Sequence, residues 1–457
     1  MTVSVVLFTS DLRLHDHPPL RTALKSADEI VPLFVRDPAV DRSGFAAPNR
    51  LAFLADCLAD LDAGLRERGG RLVVRTGDTV SEVLSVARRA DADEVHMAAG
   101  CSAFAHHREE RLRRALETDG RRLRVHAGVI TALPPGAVTP QGSEHFAVFT
   151  PYHRRWAAER LRTPLTPPRA VRVPDGVRSD ALPARPAAAS LSAGLAKGGE
   201  REGRRRLTSW LGRDVDAYEA RHDDLAGDAT SRLSPYLHFG AVSATEVVHR
   251  ARKRGGAGAE AFVRQLCWRD FHHQVLSARP EASSEDYRTR HDRWRRGEEA
   301  EADLRAWREG RTGYPVVDAA MRQLAHEGWM HNRARLLTAS FLAKTLYVDW
   351  REGARHFLAL LVDGDVANNQ LNWQWVAGTG TDSRPNRVLN PVLQGRRYDP
   401  EGAYVRRWVP ELAGLETRSL HEPWKLPDRE RSALDYPAPL VGLGDALDRF
   451  RHARSLD

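Results

Sequence analysis

Five short runs rich in apolar and β-branched residues punctuate the first 128 positions of the chain: Val3 to Phe8, Ile30 to Val35, Leu72 to Arg75, Glu94 to Met97 and Leu123 to Val125. Between them lie amphipathic stretches with helical spacing, such as Leu51 to Arg68 and Val80 to Ala90. Strands and helices in strict alternation leave little choice of fold, because parallel neighbours need a crossover and a helix is the usual one. A parallel five-stranded sheet flanked by helices is therefore expected over residues 1–128. Such a sheet often binds a nucleotide at its strand ends, but no G-x-G-x-x-G follows Phe8, so no dinucleotide phosphate site is expected there.

From 129 to 200 the composition shifts to Pro, Ala and Gly, as in T-P-L-T-P-P-R-A-V-R-V-P-D-G at 163–176. Repeated prolines exclude long helices and central strands, so this stretch is expected to be an interdomain connector with a helical island at His153 to Leu161. The basic run Arg201 to Arg206 reads as a solvated helix face. Beyond it the period is helical, with apolar residues three and four apart in Val316 to Leu324, Arg333 to Tyr347 and Ala354 to Val362. Residues 201–457 are expected to form an all-α domain.

A formal net charge of +8, from 69 Lys and Arg against 61 Asp and Glu, favours a polyanionic partner. Cys57, Cys101 and Cys267 stand far apart with no ligand spacing, which suggests neither a disulfide framework nor a zinc site. No metal is expected. The N-terminus has no basic lead, and Asp11 interrupts its apolar run too early for a signal peptide or membrane span. A soluble, cytoplasmic, monomeric protein is expected. All eleven tryptophans lie at or beyond Trp156. Core packing accounts for most tryptophans, but a basic domain that concentrates them is also suited to stack on bases or a flat cofactor.

Four stretches carry the candidate chemistry. T-S-R-L-S-P-Y-L-H-F-G, Thr230 to Gly240, sets the hydroxyls of Thr230, Ser231 and Ser234 and an arginine beside a proline-started helix, which suits an anionic phosphate and equally an ordinary helix cap. Q-L-C-W-R-D-F, Gln265 to Phe271, places Gln265 and Trp268 on one helix face, with Arg269 read as pointing elsewhere. The others are T-G-Y-P-V-V-D-A-A-M-R-Q-L-A-H-E-G-W-M-H-N-R-A-R, Thr312 to Arg335, and D-G-D-V-A-N-N-Q-L-N-W-Q-W-V-A-G-T-G-T-D-S-R-P-N-R, Asp363 to Arg387.

At these stretches the chain closely resembles the class I DNA photolyases of the photolyase/cryptochrome family. The resemblance runs in order through about residues 1 to 430, and L-F-T-S-D-L-R-L-H-D, Leu7 to Asp16, is similar to the family's opening strand and loop. It implies a flavoprotein lyase for DNA repair: an α/β domain, a long connector, and a helical domain holding FAD in a folded conformation. By that resemblance Tyr218, Thr230, Ser231, Arg232, Leu233, Ser234 and Arg269 hold the FAD phosphates, while Arg335, Asp363 and Asp365 lie along the flavin and ribose. Asn369 would face flavin N5 and favour its reduced form. Trp373, Trp350 and Trp294 would pass electrons between flavin and surface. Trp268 and Trp375 would flank an extruded lesion, Gln265 and Asn332 would contact its pyrimidines, and Arg333 and Arg387 would bind DNA phosphate. The implied reaction is light-driven opening of cyclobutane pyrimidine dimers in UV-damaged DNA by an electron from reduced FAD.

The sequence departs from the family pattern at Gln265, where cyclobutane-dimer enzymes usually carry glutamate. Glutamine is usual in (6-4) photolyases, but those place histidines where this chain has Asn332 and Leu336, so the cyclobutane dimer is favoured. Leu12, Arg13, Phe34, Val35 and Arg50 fall where the family often packs a second, antenna chromophore, an 8-hydroxy-deazaflavin ahead of a folate. The stretch Ala98 to His107 lacks the acidic residue and tyrosine common there and fits a plain strand-to-loop segment nearly as well. Two other readings stay open: a cryptochrome-like blue-light photoreceptor, and a non-catalytic nucleic-acid-binding protein, which would leave Asp363, Asp365 and Asn369 without a purpose.

Overall fold

The computed structural model describes residues 1–456. Val3–Phe8 (β1), Glu29–Arg36 (β2), Val73–Thr76 (β3), Glu94–Ala98 (β4) and Arg122–His126 (β5) form one sheet. Its strand order is β3-β2-β1-β4-β5, and every pair is parallel. The central strand β1 is buried along its whole length, which is why it reads as a continuous apolar run and not as an alternation. Leu7 sits in register with Leu33 on one side and Met97 on the other.

The crossovers are the helices Pro18–Ser26, Pro48–Arg66, Thr79–Arg89 and Ala103–Thr118. Asp78 and Ser102 cap the last two by accepting from the N–H of Ser81 and Ala105. The free edge of β3 is covered by the connector, since the Val74 N–H donates to Ser179 Oγ and the Asp180 N–H to the Val74 carbonyl. Covering an edge in this way removes a template for unwanted strand pairing.

Between β5 and Glu200 the chain forms one α-helix, Phe149–Ala158, and one 3₁₀ turn, Ala188–Ser190. The helix begins four residues before the expected His153, because Pro151 fits in a first turn whose N–H groups have no intrahelical partner. Arg201, Arg204 and Arg205 do face outward on the helix Glu200–Arg213, paired with Glu67, Glu246 and Glu202.

The remainder is helical. The expected helix over 333–347 ends early: Asn332–Ser340 passes into a π-helical turn, Phe341–Thr345. There the buried Lys344 donates to the carbonyls of Pro385 and Arg387, and Tyr347 takes φ +54°, which no right-handed helix can contain. The segment after Pro427 folds back on Thr312–Tyr314, with the Leu440 N–H donating to the Thr312 carbonyl and the Tyr314 hydroxyl to the Val441 carbonyl.

Buried polar groups join the two parts. Asp270 accepts from the N–H groups of Ala132 and Leu133 and from Trp156 Nε1, and Glu200 accepts from the N–H groups of Leu14 and His15. Arg13 is fully buried and donates to the carbonyls of Asp16, Val129 and Gly240. Arg50 donates to those of Phe45, Leu358 and Leu361. Both arginines, expected to border an antenna pocket, therefore serve the interdomain contact. A buried guanidinium without such acceptors would carry a heavy desolvation cost.

Candidate functional site

The helices Ala257–Ala278, Asn332–Ser340 and Val366–Ala377, with the short helix Ser234–His238, surround a cavity of about 440 Å³. Its lining unites residues drawn from all four sequence stretches. Gln265, Trp268 and Arg269 all reach it. The expectation that Arg269 points elsewhere is corrected: a residue four after Gln265 returns to the same face of a helix with 3.6 residues per turn.

One end is built from Tyr218 and Thr230 to Ser234. Ser234 opens its helix, followed by Pro235, so first-turn N–H groups have no intrahelical partner. Thr230 Oγ1 is buried with no hydrogen-bond partner, a state that buried polar atoms rarely hold. An anionic ligand with oxygen acceptors fits both features. Arg232 contributes differently from expectation. Its φ of +49° turns the guanidinium onto Trp329, 4.2 Å from the ring centroid, where it pairs with Glu327 and Asp228. Arg269 likewise donates to the carbonyls of Ile130 and Leu237.

The middle of the cavity carries charge in fixed positions. Arg335 Nη2 reaches both oxygens of Asp363, at 3.1 and 2.8 Å. Asp365 caps Val366–Ala377 by accepting from the Asn368 N–H and meets His273 Nε2 at 3.2 Å. Burial alone would raise the Asp365 carboxyl, but His273 holds it well below the usual carboxylate range. Asn369 donates its amide N–H groups to the Ala354 carbonyl and to Gln370 Oε1, leaving Oδ1 free to accept. This set of acceptors and one paired guanidinium suits a flat heterocycle with N–H and hydroxyl groups, so the residues present fit FAD.

Toward the mouth the walls become aromatic. Trp268 is stacked on Phe149 at 3.7 Å between centroids and 6° between planes, with the Arg264 guanidinium 5.0 Å from the Phe149 ring on the way to solvent. Trp375, Asn332 and Arg333 also line the cavity, and Gln265 is exposed at its edge. Arg333 is held by Asp223 at 3.1 and 2.6 Å and lies over Tyr398. Arg387 is exposed on the loop beyond the cavity and does not line it.

Of the three chain tryptophans, Trp373 borders the cavity and is buried against Trp307 and Phe357. Trp350 is fully buried and donates to Asp286 Oδ1 at 2.9 Å. Trp294 is half-buried and packs on Tyr347.

Several lining residues escaped the sequence reading, among them His238, His272, Asn368 and Trp329. His272 and His238 are pushed down to about 4 by burial, so both are neutral at pH 7. Only the return of lining residues every three to four positions in Ala257–Ala278 could have signalled His272. A second cavity, of about 210 Å³, lies between the two parts and is bordered by Cys101, His106, Glu109, Thr131 and His273. Glu109 accepts there from the Gly100 N–H. Among the described residues no cluster of three metal-ligating side chains occurs, and no helix is long and apolar enough to cross a membrane.

Two family models match the chain: "DNA photolyase" over residues 4–171 and "FAD binding domain of DNA photolyase" over residues 262–455. The chain is 68% identical to a deoxyribodipyrimidine photo-lyase of Streptomyces griseus, with both chains covered completely. It is 35% identical to the Escherichia coli enzyme of that name over 96% of each chain. Among solved structures it resembles a class III photolyase from Agrobacterium tumefaciens with a TM-score of 0.92 at 32% identity, covering 100% of this chain and 98% of that one. A Synechocystis cryptochrome gives 0.92 at 28% identity, with 99% of each chain covered. An archaeal photolyase from Sulfolobus tokodaii, solved with two FAD molecules, gives 0.84 at 31% identity over the whole of both chains.

Proposed function

The chain belongs to the DNA photolyase family, and from that premise we propose how its own residues carry out light-driven repair of cyclobutane pyrimidine dimers in DNA. The observation that carries the reading is that one cavity holds both a cofactor-type set, Thr230, Asp363, Asp365 and Asn369, and a lesion-type set, Gln265, Trp268, Asn332 and Trp375. Bound in it, FAD supplies a light-absorbing group that in its reduced form gives an electron to the dimer.

The residues divide the work as follows. Tyr218 and the turn Thr230 to Ser234 hold the phosphates, with Arg232 acting through its backbone because its guanidinium is committed to Glu327. Arg335 and Asp363 act as a unit, and Asp365, kept ionised, accepts from donors of the ligand. Asn369 offers Oδ1 toward a protonated ring nitrogen, which favours the reduced cofactor. Trp268, stiffened by Phe149, and Trp375 take the extruded bases between them, and Asn332 and Gln265 meet the pyrimidine edges. Arg333 and Arg387 approach the phosphates. Trp373, Trp350 and Trp294 restore electrons from the surface.

A (6-4) lesion calls for a protonated imidazole at the dimer. The chain has Asn332 and Leu336 where those enzymes place histidines, and His238 and His272 are neutral. This favours the cyclobutane dimer. A light-harvesting second chromophore, a deazaflavin ahead of a folate, belongs to the same reading, with the 210 Å³ interdomain cavity beside Cys101 and Glu109 as its candidate border. The enzyme would act as a cytoplasmic monomer.

The test is repair of oligonucleotides that each carry one defined lesion, under blue light and in the dark, by protein purified with its flavin. Light-dependent loss of the cyclobutane dimer is expected. Repair of the (6-4) lesion alone, or of neither with FAD bound, would overturn the assignment and favour the photoreceptor.

A further inference from the structure

A further cavity, of about 240 Å³, shares Arg232 and Trp329 with the cofactor cavity but lies outside it. Neither cofactor nor lesion binding has a use for it. Leu225, Ala226, Ala403 and Trp408 give it an apolar wall, on which Ala226 and Ala403 are exposed to solvent. His331 also lines it, is 2% exposed, and has an Nε2 with no hydrogen-bond partner. The other ring nitrogen, Nδ1, accepts from the Arg333 N–H at 3.1 Å. In the neutral imidazole the single proton therefore sits on Nε2. A buried donor without an acceptor is rare enough in folded chains to ask what answers it.

The acceptors around this cavity are already spent. Glu327 takes Arg232 Nη1 at 3.1 Å and Gln323 Nε2 at 2.9 Å, and Gln323 Oε1 takes the Tyr404 hydroxyl at 2.7 Å. Asp228, half exposed, takes Arg232 Nε at 2.6 Å. What remains is a set of donors. Arg232 keeps Nη2, His331 keeps its Nε2–H, and Arg407 stands 3.9 Å from Glu327, beyond hydrogen-bond reach. The Arg407 guanidinium lies 5.0 Å from the Trp408 ring on a side chain that is 60% exposed, so it is free to meet a negative charge. Water answers the donors but not the wall, since each enclosed water needs two to four polar partners and Leu225, Ala226 and Ala403 offer no polar side chain. Donors on one side and apolar surface on the other suit an oxygen acceptor joined to an apolar body.

We propose that this cavity is a binding site for a small carboxylate with an apolar body, of the size of benzoate. Its oxygens accept from His331 Nε2–H and from the guanidinium groups of Arg232 and Arg407, and its body packs against Leu225 and Trp408. The site stands without the cofactor reading, but its effect on the cofactor rests on that reading. Arg232 belongs to the turn assigned to the FAD phosphates, Trp329 Nε1 donates to Ser234 Oγ at 3.2 Å, and His331 caps the helix that carries Asn332. A ligand that touches Arg232, Trp329 and His331 together steadies the phosphate turn, so it should tighten FAD. By linkage FAD should tighten the ligand by the same factor.

The experiment titrates FAD-loaded and flavin-free protein in the dark with sodium benzoate, and separately with inorganic phosphate at equal ionic strength. Imidazole N–H signals of nitrogen-15-labelled histidine are followed by magnetic resonance, and binding heat by calorimetry. Benzoate should move one protected Nε2–H signal saturably, and that signal should be missing from His331→Asn. Arg407→Gln should weaken benzoate roughly tenfold, as for loss of one charge-assisted hydrogen bond. Ala403→Leu fills the cavity from its exposed side and leaves His331 and Arg232 in place, so it should abolish binding in a chain that still unfolds normally. Retention of FAD should rise with benzoate in the wild type and not in Ala403→Leu. An Nε2–H signal that benzoate does not move would overturn the proposal and leave a water-filled hollow. Equal responses to phosphate and benzoate would overturn the apolar body, and benzoate binding that survives both His331→Asn and Ala403→Leu would overturn the location. Saturable benzoate binding by a chain that takes up no FAD would sink the cofactor reading and leave the site standing.

Discussion

Asn369 donates its amide to the carbonyl oxygen of Ala354 at 3.1 Å, which ties the helix Val366–Ala377 to Trp350–Leu360 and fixes which end of the amide faces the cofactor cavity. The same contact seats Trp373. Gly353, one residue before Ala354, lies so close that a β-carbon there would fall 2.1 Å from the Trp373 ring. One helix pair therefore sets the acceptor proposed for the cofactor ring and the tryptophan proposed as first in the electron chain in a single rigid relationship.

Thr230→Val separates ligand binding from fold. The Thr230 hydroxyl has no partner within the protein, so its loss should leave the flavin-free chain as stable as before or slightly more so. FAD, deprived of one hydrogen bond worth about 1 kcal/mol, should bind roughly fivefold more weakly. Equilibrium titration of flavin fluorescence, beside thermal unfolding of the flavin-free protein, checks both. A destabilised flavin-free chain with normal FAD affinity would make the hydroxyl merely structural.

Trp373→Phe should block light-driven reduction of oxidised flavin while repair by chemically pre-reduced enzyme stays within about twofold of wild type. The ring volume against Gly353 is largely kept, so this change costs little packing. Photoreduction at the wild-type rate would show another donor at work, and the contact of Trp373 with Trp307 at 6.0 Å names where to look.

Arg333 and Asp223 predict an unusual salt dependence. Arg333 is already paired at 2.6 Å, so it brings little net charge to DNA. Asp223→Asn should free that charge and steepen the fall of log affinity with log salt by roughly one unit, the share of one phosphate contact. Adding Arg333→Ala should remove the gain. Affinity for damaged duplex measured over a salt series decides, and an unchanged slope in Asp223→Asn would place Arg333 away from the DNA.

His331 makes stability depend on pH. Its Nδ1 accepts from the Arg333 N–H and caps the helix that carries Asn332, which only a neutral ring can do. Burial pushes the imidazole from 6.5 down to about 4. The folded value thus lies below the unfolded one: between these limits the unfolded chain takes a proton that the folded chain refuses. The contribution is fully present above pH 6.5 and is lost as pH falls toward 4, at about 1.4 kcal/mol per pH unit. His331→Asn caps without titrating, so urea unfolding across that window should show a shallower loss. Parallel losses in the two proteins would rule out the cap as the sensitive group.

What could be read in advance followed the physics of each signal. The strands were legible because buried parallel strands are continuous apolar runs, and β1 was located to the residue. Many of the cavity-lining residues were legible as motif positions, but the direction in which the arginines point their charges was not. Arg232, Arg333, Arg13 and Arg50 find their partners in Glu327, Asp223 and distant backbone carbonyls, and no local spacing reveals a partner 95 or more residues away. The early end of the helix expected over Arg333 to Tyr347 escaped for the opposite reason, since the left-handed backbone of Tyr347 breaks the helical period without a local signal in the sequence.

Gln265 is the position where chemistry and family pattern part, and its placement makes the matter testable. The side chain is exposed at the edge of the cavity, three residues from Trp268 on the same helix. Asn332 and Trp375 line the same space, so binding of the dimer does not hang on residue 265 alone. An amide there offers N–H donors to a pyrimidine carbonyl. It supplies neither a formal charge nor an acidic proton when the dimer takes up an electron, whereas a carboxyl that shares its proton with the developing negative oxygen lowers that state selectively. Gln265→Glu should therefore raise the number of dimers repaired per absorbed photon while changing affinity by under about 1 kcal/mol, the scale of one neutral hydrogen bond. The measurement is repair of a single-lesion oligonucleotide by both proteins at equal photon dose, beside a binding titration in the dark. A yield unchanged or lowered by Gln265→Glu, at unaltered affinity, would mean that the amide itself is the better partner for the reduced dimer in this cavity, and that the chain's departure from glutamate is an adaptation.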